Sequence, residues 1–474
     1  MRTKTYYDEA TKGFLLLFLI SQLFFTNGII LFGGLIIFFL LLNVIQQPYK
    51  PSVFTLILFY HFLQISAGIW ESNYLNVDIN YRSPSSQIAT IASYIGLIFL
   101  FLPIAYYQNK LPALSLNILK KHADRLAIDK TFRVYVIGFF AMNALTGIAF
   151  LIPSLTQIIL SISNIKWFLF LLFGLQSILK NRMRKEFYIF CVLEFALGFF
   201  SFFSEFKTII FFILFLLLTL LAVVKFNKMM IFVVGVALVF FAGVFWTSVK
   251  GEYRSFLNNG DKSQTVQVEK EEALNKLLEL SDKQNSNSFN DAIEGFLDRL
   301  QYTFHLAKTM DRVPAVIPYQ NGSNWGTTLV FILTPRIIDP NKGTYDASEK
   351  ATKYSGIQYS GRKRGVSISL GYFADGYIDF GYVGMFIPLL ILGFIYGSSY
   401  YFFIRKSSTN FIFNYAVVGA LYMGFMSFES DNIFLAGRLY VNLMVFFILR
   451  IFFFPKLMAY IIMPKQTIEI SETA

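Results

Sequence analysis

The side chains best suited to bind an anion are basic residues of one long polar segment, from Lys250 to about Ser367, and Lys207 at the start of an earlier apolar run. They are Lys207, Arg254, Arg299, Arg336, Arg362 and Arg364. Arginine presents a rigid fork of donors that matches the oxygens of a phosphate group. Any one of these residues could instead meet lipid headgroups or loop carboxylates, but the group as a whole indicates a phosphate or pyrophosphate site.

Two further side chains could transfer a proton. His305 lies in the polar segment, and an unperturbed imidazole titrates near neutral pH, although a lone histidine on a helix is more often structural. Asp375 lies in GYFADGYIDFGYVG, where glycines interrupt an aromatic stretch. A broken or re-entrant helix here would place Asp375 at a cavity. The alternative is a close helix-packing face made by the small residues.

Apolar runs must position these groups. The chain has 474 residues, of which 55% are hydrophobic and 15% charged, whereas a soluble domain is usually about 25% charged. The sequence therefore predicts an all-α, polytopic bundle of about twelve transmembrane helices. The apolar runs cover approximately residues 14–25, 29–45, 52–70, 88–107, 134–152, 166–179, 187–204, 208–224, 229–249, 380–404, 410–428 and 437–454.

Lysine and arginine accumulate in alternate loops, which places both termini in the cytoplasm and the large polar loop outside. The net charge of +12 is explained by this topology, so nucleic-acid binding is not expected. Four regions follow: a bundle of about nine helices at 1–249, the outer loop with short helices at 250–367, membrane helices with a candidate re-entrant segment at 368–454, and a cytoplasmic tail at 455–474.

Within the outer loop, residues 268–280 are predicted to form one helix and residues 290–310 a second, which Asn290 would cap. Residues 281–288 read as a linker between them. The sequence contains no P-loop, GxSxG, HExxH or paired-cysteine motif, and its single cysteine is Cys191. We therefore expect no ATP, no catalytic metal and no other cofactor.

Three segments resemble the Wzy-type oligosaccharide repeat-unit polymerases, also called O-antigen polymerases. They are YQNGSNWGTTLVFILTPRIIDPNKG at 319–343, GYFADGYIDFGYVGMFIPLLILG at 371–393 and SEFKTIIFFILFLLL at 204–218. The layout, with a large outer loop before the last few spans, is also similar to that family. Asp375 stands where the family more often has glutamate, and Lys207 where it commonly has arginine, so both positions keep the sign of the charge.

The resemblance implies a GT-C-like, metal-independent glycosyltransferase of the bacterial plasma membrane with its site facing outward. It would polymerise oligosaccharide repeat units carried on undecaprenyl pyrophosphate. The basic residues named above would hold the pyrophosphate, and His305 or Asp375 would take the hydroxyl proton. Besides the lipid-linked oligosaccharides and the bilayer, a chain-length regulator and a flippase are candidate partners. The alternatives are a flippase for lipid-linked sugars, an O-antigen ligase and an acyltransferase.

Overall fold

The structure is a computed structural model that describes most of the chain. The described residues are 6–149, 155–199, 206–258, 260, 268–282, 286–334, 339, 342–343, 345–359, 367–425 and 429–463. They are almost entirely helical. Two compact units can be distinguished, and each is described by itself. The first comprises Met1–Ala113, Cys191–Tyr401 and Tyr422–Tyr440, and the second comprises Leu114–Phe190, Phe402–Leu421 and Val441–Ala474.

The helices follow the apolar runs closely. Those before the large loop are α1 Glu9–Ser21, α2 Gly28–Ile45, α3 Val53–Tyr74, α4 Ser86–Asn109, α5 Leu116–Asp124, α6 Ile128–Ile148, α7 Thr156–Ser163, α8 Ile165–Lys180, α9 Arg184–Phe199, α10 Phe206–Thr219 and α11 Phe226–Leu257. The later ones are α12 Lys270–Asp282, α13 Ser286–Leu300, α14 Thr303–Arg312, α15 Ser323–Leu333, α16 Ala347–Ser355, α17 Tyr372–Gly384, α18 Phe386–Lys406, α19 Phe411–Tyr422, α20 Asn432–Phe452 and α21 Phe454–Ile461.

Within the described residues, eight helical segments are long and apolar enough to cross a membrane. They are α2, α3, α4, α6, the consecutive pair α7 and α8, α11, α18 and α20. Lys207–Thr219 and Phe411–Phe425 are shorter apolar helices. The prediction of an all-α membrane protein is therefore confirmed. Each of the twelve predicted apolar runs contains a helix, but α1 has 13 residues and α9 has 16, short for a full crossing.

The first predicted loop helix is present as α12, but the prediction of a second single helix capped by Asn290 is wrong. Asn290 lies inside α13, and the chain breaks before α14. At the break, the Tyr302 N–H donates to the Gln64 carbonyl oxygen at 3.3 Å, and Gln301 Nε2 donates to Glu71 Oε2 at 2.9 Å. At Tyr302 a bond to α3 thus replaces the intrahelical one, and the Gln301 side chain adds a second bond to α3, which the local pattern could not reveal.

A second break interrupts α17 at Gly381, where the backbone has φ 66° and ψ −163°. Only glycine adopts this conformation readily. A Cβ at this position would also lie 3.0 Å from Cζ of Tyr319. The helix break predicted for this glycine-rich segment therefore falls at Gly381, just before α18 begins.

Two short parallel strands lie near the start of the chain, β1 Tyr6–Tyr7 and β2 Val223–Val224. Asp8 follows β1, and its carboxylate accepts the Thr11 N–H at 2.9 Å and the Phe226 N–H at 3.1 Å. One side chain therefore caps the first turns of both α1 and α11.

The second unit packs α6 and α5 against α8. Its interior is aromatic: Tyr135, Phe170 and Phe173 are completely buried, and Phe190 lies against Tyr135 with ring centroids 5.0 Å apart. Aromatic side chains fill large volumes with few rotamers, so this unit is held mainly by apolar contact.

Candidate functional site

Two aspartates of α17 position the first turns of two other helices. Asp375 and Asp379 are 0% and 1% exposed. Asp375 Oδ2 accepts the Asn432 N–H at 2.7 Å, where α20 begins. Asp379 accepts the Asn324 and Trp325 N–H groups at 3.0 and 2.8 Å, where α15 begins. The first N–H groups of a helix have no intrahelical acceptor, and a carboxylate there also complements the helix dipole.

Lys350 of α16 balances the charge of Asp375. Its Nζ lies 2.5 Å from Asp375 Oδ1 and donates to Asn432 Oδ1 at 2.9 Å. Asn324 Nδ2 donates to the same Asp375 oxygen at 3.2 Å. Both carboxylate oxygens are thus occupied, as a buried charge requires. The expectation that Asp375 faces a cavity is therefore wrong: the helix breaks, but its carboxylate is enclosed by protein.

Asp431 completes this group. It is 1% exposed, accepts the Phe434 N–H at 3.1 Å and accepts the hydroxyl of Tyr345. Burial, and then the negative charge of Asp375, raise the pKa of Asp431, whereas Lys350 opposes the shift. We call Asp375, Asp379, Asp431 and Lys350 the carboxylate cluster. In the part of the chain that the structure describes, no three His, Cys, Asp or Glu side chains form a metal-binding group.

His305 lies on α14 among tyrosine rings. Its Nδ1 is 3.0 Å from the Tyr359 hydroxyl, and its ring centroid is 4.9 Å from that of Tyr302. Burial lowers the pKa of His305 to about 4, so the imidazole is neutral at pH 7 and a weak base. Burial also raises the pKa of Tyr302, and the negative charge of Glu429 adds to that effect.

Glu429 is the partly exposed carboxylate of this neighbourhood. Its Oε2 lies 3.5 Å from Gln64 Nε2, and its charge acts on that of Arg438. Tyr60 of α3 lies within electrostatic range of both Glu429 and Arg299. The side chains of Arg299 and Arg438 are exposed, and Arg438 Nη1 donates to the Gly424 carbonyl oxygen at 2.7 Å.

We call the second group the Glu429 region; it comprises Glu429, His305, Tyr302, Arg299 and Arg438. It combines a carboxylate and a neutral imidazole with two arginine side chains. Such a set contains groups that can accept a proton and groups that can bind an anion. The carboxylate cluster offers neither function, because its polar atoms already bind one another.

The structure does not place Arg254 beside Arg299. Phe296, which lies one turn before Arg299 on α13, packs closely against Gly243 of α11. A Cβ added at Gly243 would lie only 2.5 Å from the Phe296 ring. Arg254 follows Gly243 by about 16 Å along α11, at 1.5 Å per residue. Lys207 is exposed at the start of α10. Arg336, Arg362 and Arg364 lie outside the described residues, so their part in an anion site stays a prediction.

Sequence reasoning missed Glu429, Asp431 and Lys350. For the two carboxylates a signal exists, since FESDN at 428–432 carries two acidic residues at the edge of an apolar run. For Lys350 there is none, because ASEKATKYS at 347–355 reads as an ordinary polar helix. Its role follows only from the approach of α16 to α17 and α20.

The family model for a domain of unknown function, DUF8712, matches residues 107–399. This range includes α14, α15, α16 and the whole of α17 and its break. No curated protein and no solved structure matches the chain.

Proposed function

We propose that the chain, which belongs to the DUF8712 family of unknown function, is a membrane glycosyltransferase. It would polymerise oligosaccharide repeat units linked to undecaprenyl pyrophosphate into a surface polysaccharide, as its resemblance to Wzy-type polymerases implies. In this proposal the chain is a GT-C-like bundle of about twelve helices in the bacterial plasma membrane. Both termini are cytoplasmic, and the large loop faces outward.

The Glu429 region is the observation that carries this proposal. Transfer from a lipid pyrophosphate needs a positive environment for the leaving group and an acceptor for one proton. Arg299 and Arg438 supply positive charge, Glu429 acts electrostatically on Arg438, and His305 lies beside Tyr302, on which Glu429 also acts. These side chains lie on or beside α3, α13, α14 and α20, two of which are long apolar helices suited to lipid-linked substrates.

The reaction assigns each group a task. The acceptor hydroxyl oxygen forms a bond to the anomeric carbon of the donor, and the bond from that carbon to the pyrophosphate oxygen breaks. Undecaprenyl pyrophosphate leaves with the bonding electron pair, and Arg299 and Arg438 stabilise its charge. The hydroxyl proton passes to Glu429, whose side chain is partly exposed, whereas Nδ1 of His305 is already bonded to the Tyr359 hydroxyl. Neither a metal nor a nucleotide is required.

In this proposal Asp375 does not have the catalytic role that the resemblance suggested. Because Lys350, Asn324 and Asn432 occupy its oxygens, it acts here as a positioning residue. Arg254, Arg336, Arg362, Arg364 and Lys207 remain candidates for holding a lipid-linked phosphate elsewhere on the outer side.

A deletion strain complemented with variants tests the proposal. Loss of the gene should leave single repeat units on the surface lipid and no long polymer. Absence of all surface glycan would favour the flippase, and polymer retained on the lipid carrier would favour the ligase. Either result would overturn the polymerase.

Arg299→Ala tests the site itself. Losing one transition-state contact typically lowers a rate by about a hundredfold, so polymer chains should become short or disappear. Arg299→Lys keeps the charge without the fork and should fall in between. Arg182→Ala is the control, because Arg182 is 62% exposed in the other unit. Normal polymer from Arg299→Ala, at an unchanged protein level, would place the pyrophosphate elsewhere.

A further inference from the structure

The short helix α15 lies in the loop that was predicted to be wholly outside the membrane, yet its sequence is SNWGTTLVFIL. It carries no charged side chain. Leu329, Val330 and Leu333 are 53%, 68% and 60% exposed. Because they are spaced by one and three residues, they lie along one side of the helix. An apolar side of this kind is unusual for a short helix in water.

Both ends of α15 are closed by charged side chains from other segments. At the start, Asp379 accepts the Asn324 and Trp325 N–H groups. At the end, Lys342 Nζ donates to the Thr334 carbonyl oxygen at 2.9 Å and to the Phe331 carbonyl oxygen. Water can satisfy such groups on an exposed helix. In hydrocarbon each group without a partner costs several kcal/mol, so the protein itself must provide the partners.

Exposed apolar side chains are also present on the segment against which α15 packs. α15 packs on α17, and Phe380 of α17 lies 3.4 Å from the Cβ position at Gly322. Beyond the break, Val383, Ile387 and Ile391 are 84%, 55% and 54% exposed. The last two belong to α18, one of the candidate spans. α15 therefore packs beside the start of a helix that itself exposes apolar side chains.

We propose that α15 lies in the outer interface of the bilayer, with Leu329, Val330 and Leu333 in contact with the acyl chains of bulk phospholipid. Its 11 residues span about 16 Å, roughly half of a hydrocarbon core of about 30 Å, so it is too short to cross the membrane. Asp379 holds its first turn, which also contacts Asn432 at the start of α20, and Lys342 closes its last turn, so both ends lie at the outer boundary. This arrangement satisfies the ends of the helix without water. This inference does not depend on the proposed enzymatic activity.

Spin labels can measure the surroundings of α15 directly. Single cysteines would be introduced at Val330 and Leu333 in a Cys191→Ser background, labelled with a nitroxide, and reconstituted in phospholipid nanodiscs. Collision with oxygen reports hydrocarbon, and collision with the water-soluble Ni(II)EDDA reports water. Ile391 on α18 is the lipid reference. Glu349, which is exposed on α16, is the water reference, and Thr328, which is 1% exposed, is the buried one.

Labels at Val330 and Leu333 should match Ile391, with strong oxygen contact and loss of Ni(II)EDDA contact. Contact with Ni(II)EDDA equal to that at Glu349 would overturn the proposal, because α15 would then lie in water. Weak contact with both reagents, as at Thr328, would also overturn it, because another protein surface would then cover the helix. Labelling Val330 in an Asp379→Ala background should restore part of the Ni(II)EDDA contact, since the first turn of α15 loses its acceptor.

Discussion

The carboxylate cluster and the Glu429 region are both rich in charge, but they differ in how that charge is used. In the cluster, Asp375 and Asp379 are almost completely buried, and their oxygens bind groups of the same chain. In the Glu429 region, Arg299 and Arg438 remain exposed. A buried charge whose partners are all internal holds helices together, whereas a charge on an exposed side chain can meet a substrate. Polarity near a membrane therefore does not identify a site until its partners are known.

The largest expected effect is on folding, from Asp375→Ala. It leaves Lys350, whose side chain is 11% exposed, without its carboxylate. Removing one partner of a buried pair typically destabilises by about 3–5 kcal/mol. Thermal melting in detergent should show this loss, and the double variant Asp375→Ala with Lys350→Met should recover part of it. An Asp375→Ala protein with normal stability and no polymer would instead indicate a direct role in the reaction.

Glu429→Gln should lower the activity while leaving the stability almost unchanged, the opposite of what is expected for Asp375→Ala. It removes the base but not the volume, and Glu429 is partly exposed, so the melting temperature should change little. Loss of a general base typically lowers a rate by about 10²–10⁴, and polymer length in a complemented deletion strain reports it. Glu252→Gln, on the exposed side of α11, is the matched control. Full activity of Glu429→Gln would move the proton acceptor to His305.

A smaller effect on stability should distinguish the start of α15 from the start of a helix that water reaches. Asp379→Ala and Asp346→Ala each remove an N-terminal cap, since Asp346 accepts the Ser348 N–H at 2.9 Å. Loss of a cap usually costs about 1 kcal/mol where water can replace it. The Asp379 variant should lose clearly more stability than the Asp346 variant, because Asp379 is 1% exposed whereas Asp346 is partly exposed. Equal losses in thermal melting would mean that water reaches both.

A further effect concerns pH. The pKa of His305 is lowered to about 4, from about 6.5 in the unfolded chain. Between these values the unfolded state binds a proton that the folded state does not, so folding stability should decrease as the pH falls from about 6.5 to about 4. His305→Gln should flatten this part of the melting-temperature curve. An unchanged curve would mean that His305 is not the group responsible.

Hydropathy was sufficient to locate the membrane helices, because each must bury many apolar residues in succession. Hydropathy did not predict the features that depend on contacts between segments far apart in the sequence. The break at Gln301 and Tyr302 depends on bonds to α3. The segment that forms α15 was recognised in the sequence only by its resemblance to the polymerases, and its contacts with Asp379 and Lys342 could not be predicted, because these residues lie outside the helix. Asp375 was recognised as important, but its role could not be assigned before Lys350 was seen beside it.

The paired strands near the start of the chain have a consequence for biosynthesis. Asp8 and Phe226 are separated by 218 residues, yet a hydrogen bond joins them. At translation rates of about 5–20 residues per second, Phe226 is made roughly 10–40 s after Asp8. During that interval α1 has already left the ribosome, whereas α11, whose first turn Asp8 also caps, has not yet been made. The first helix must therefore wait in the translocon or the lipid, and its final docking is among the last steps in assembling the N-terminal half.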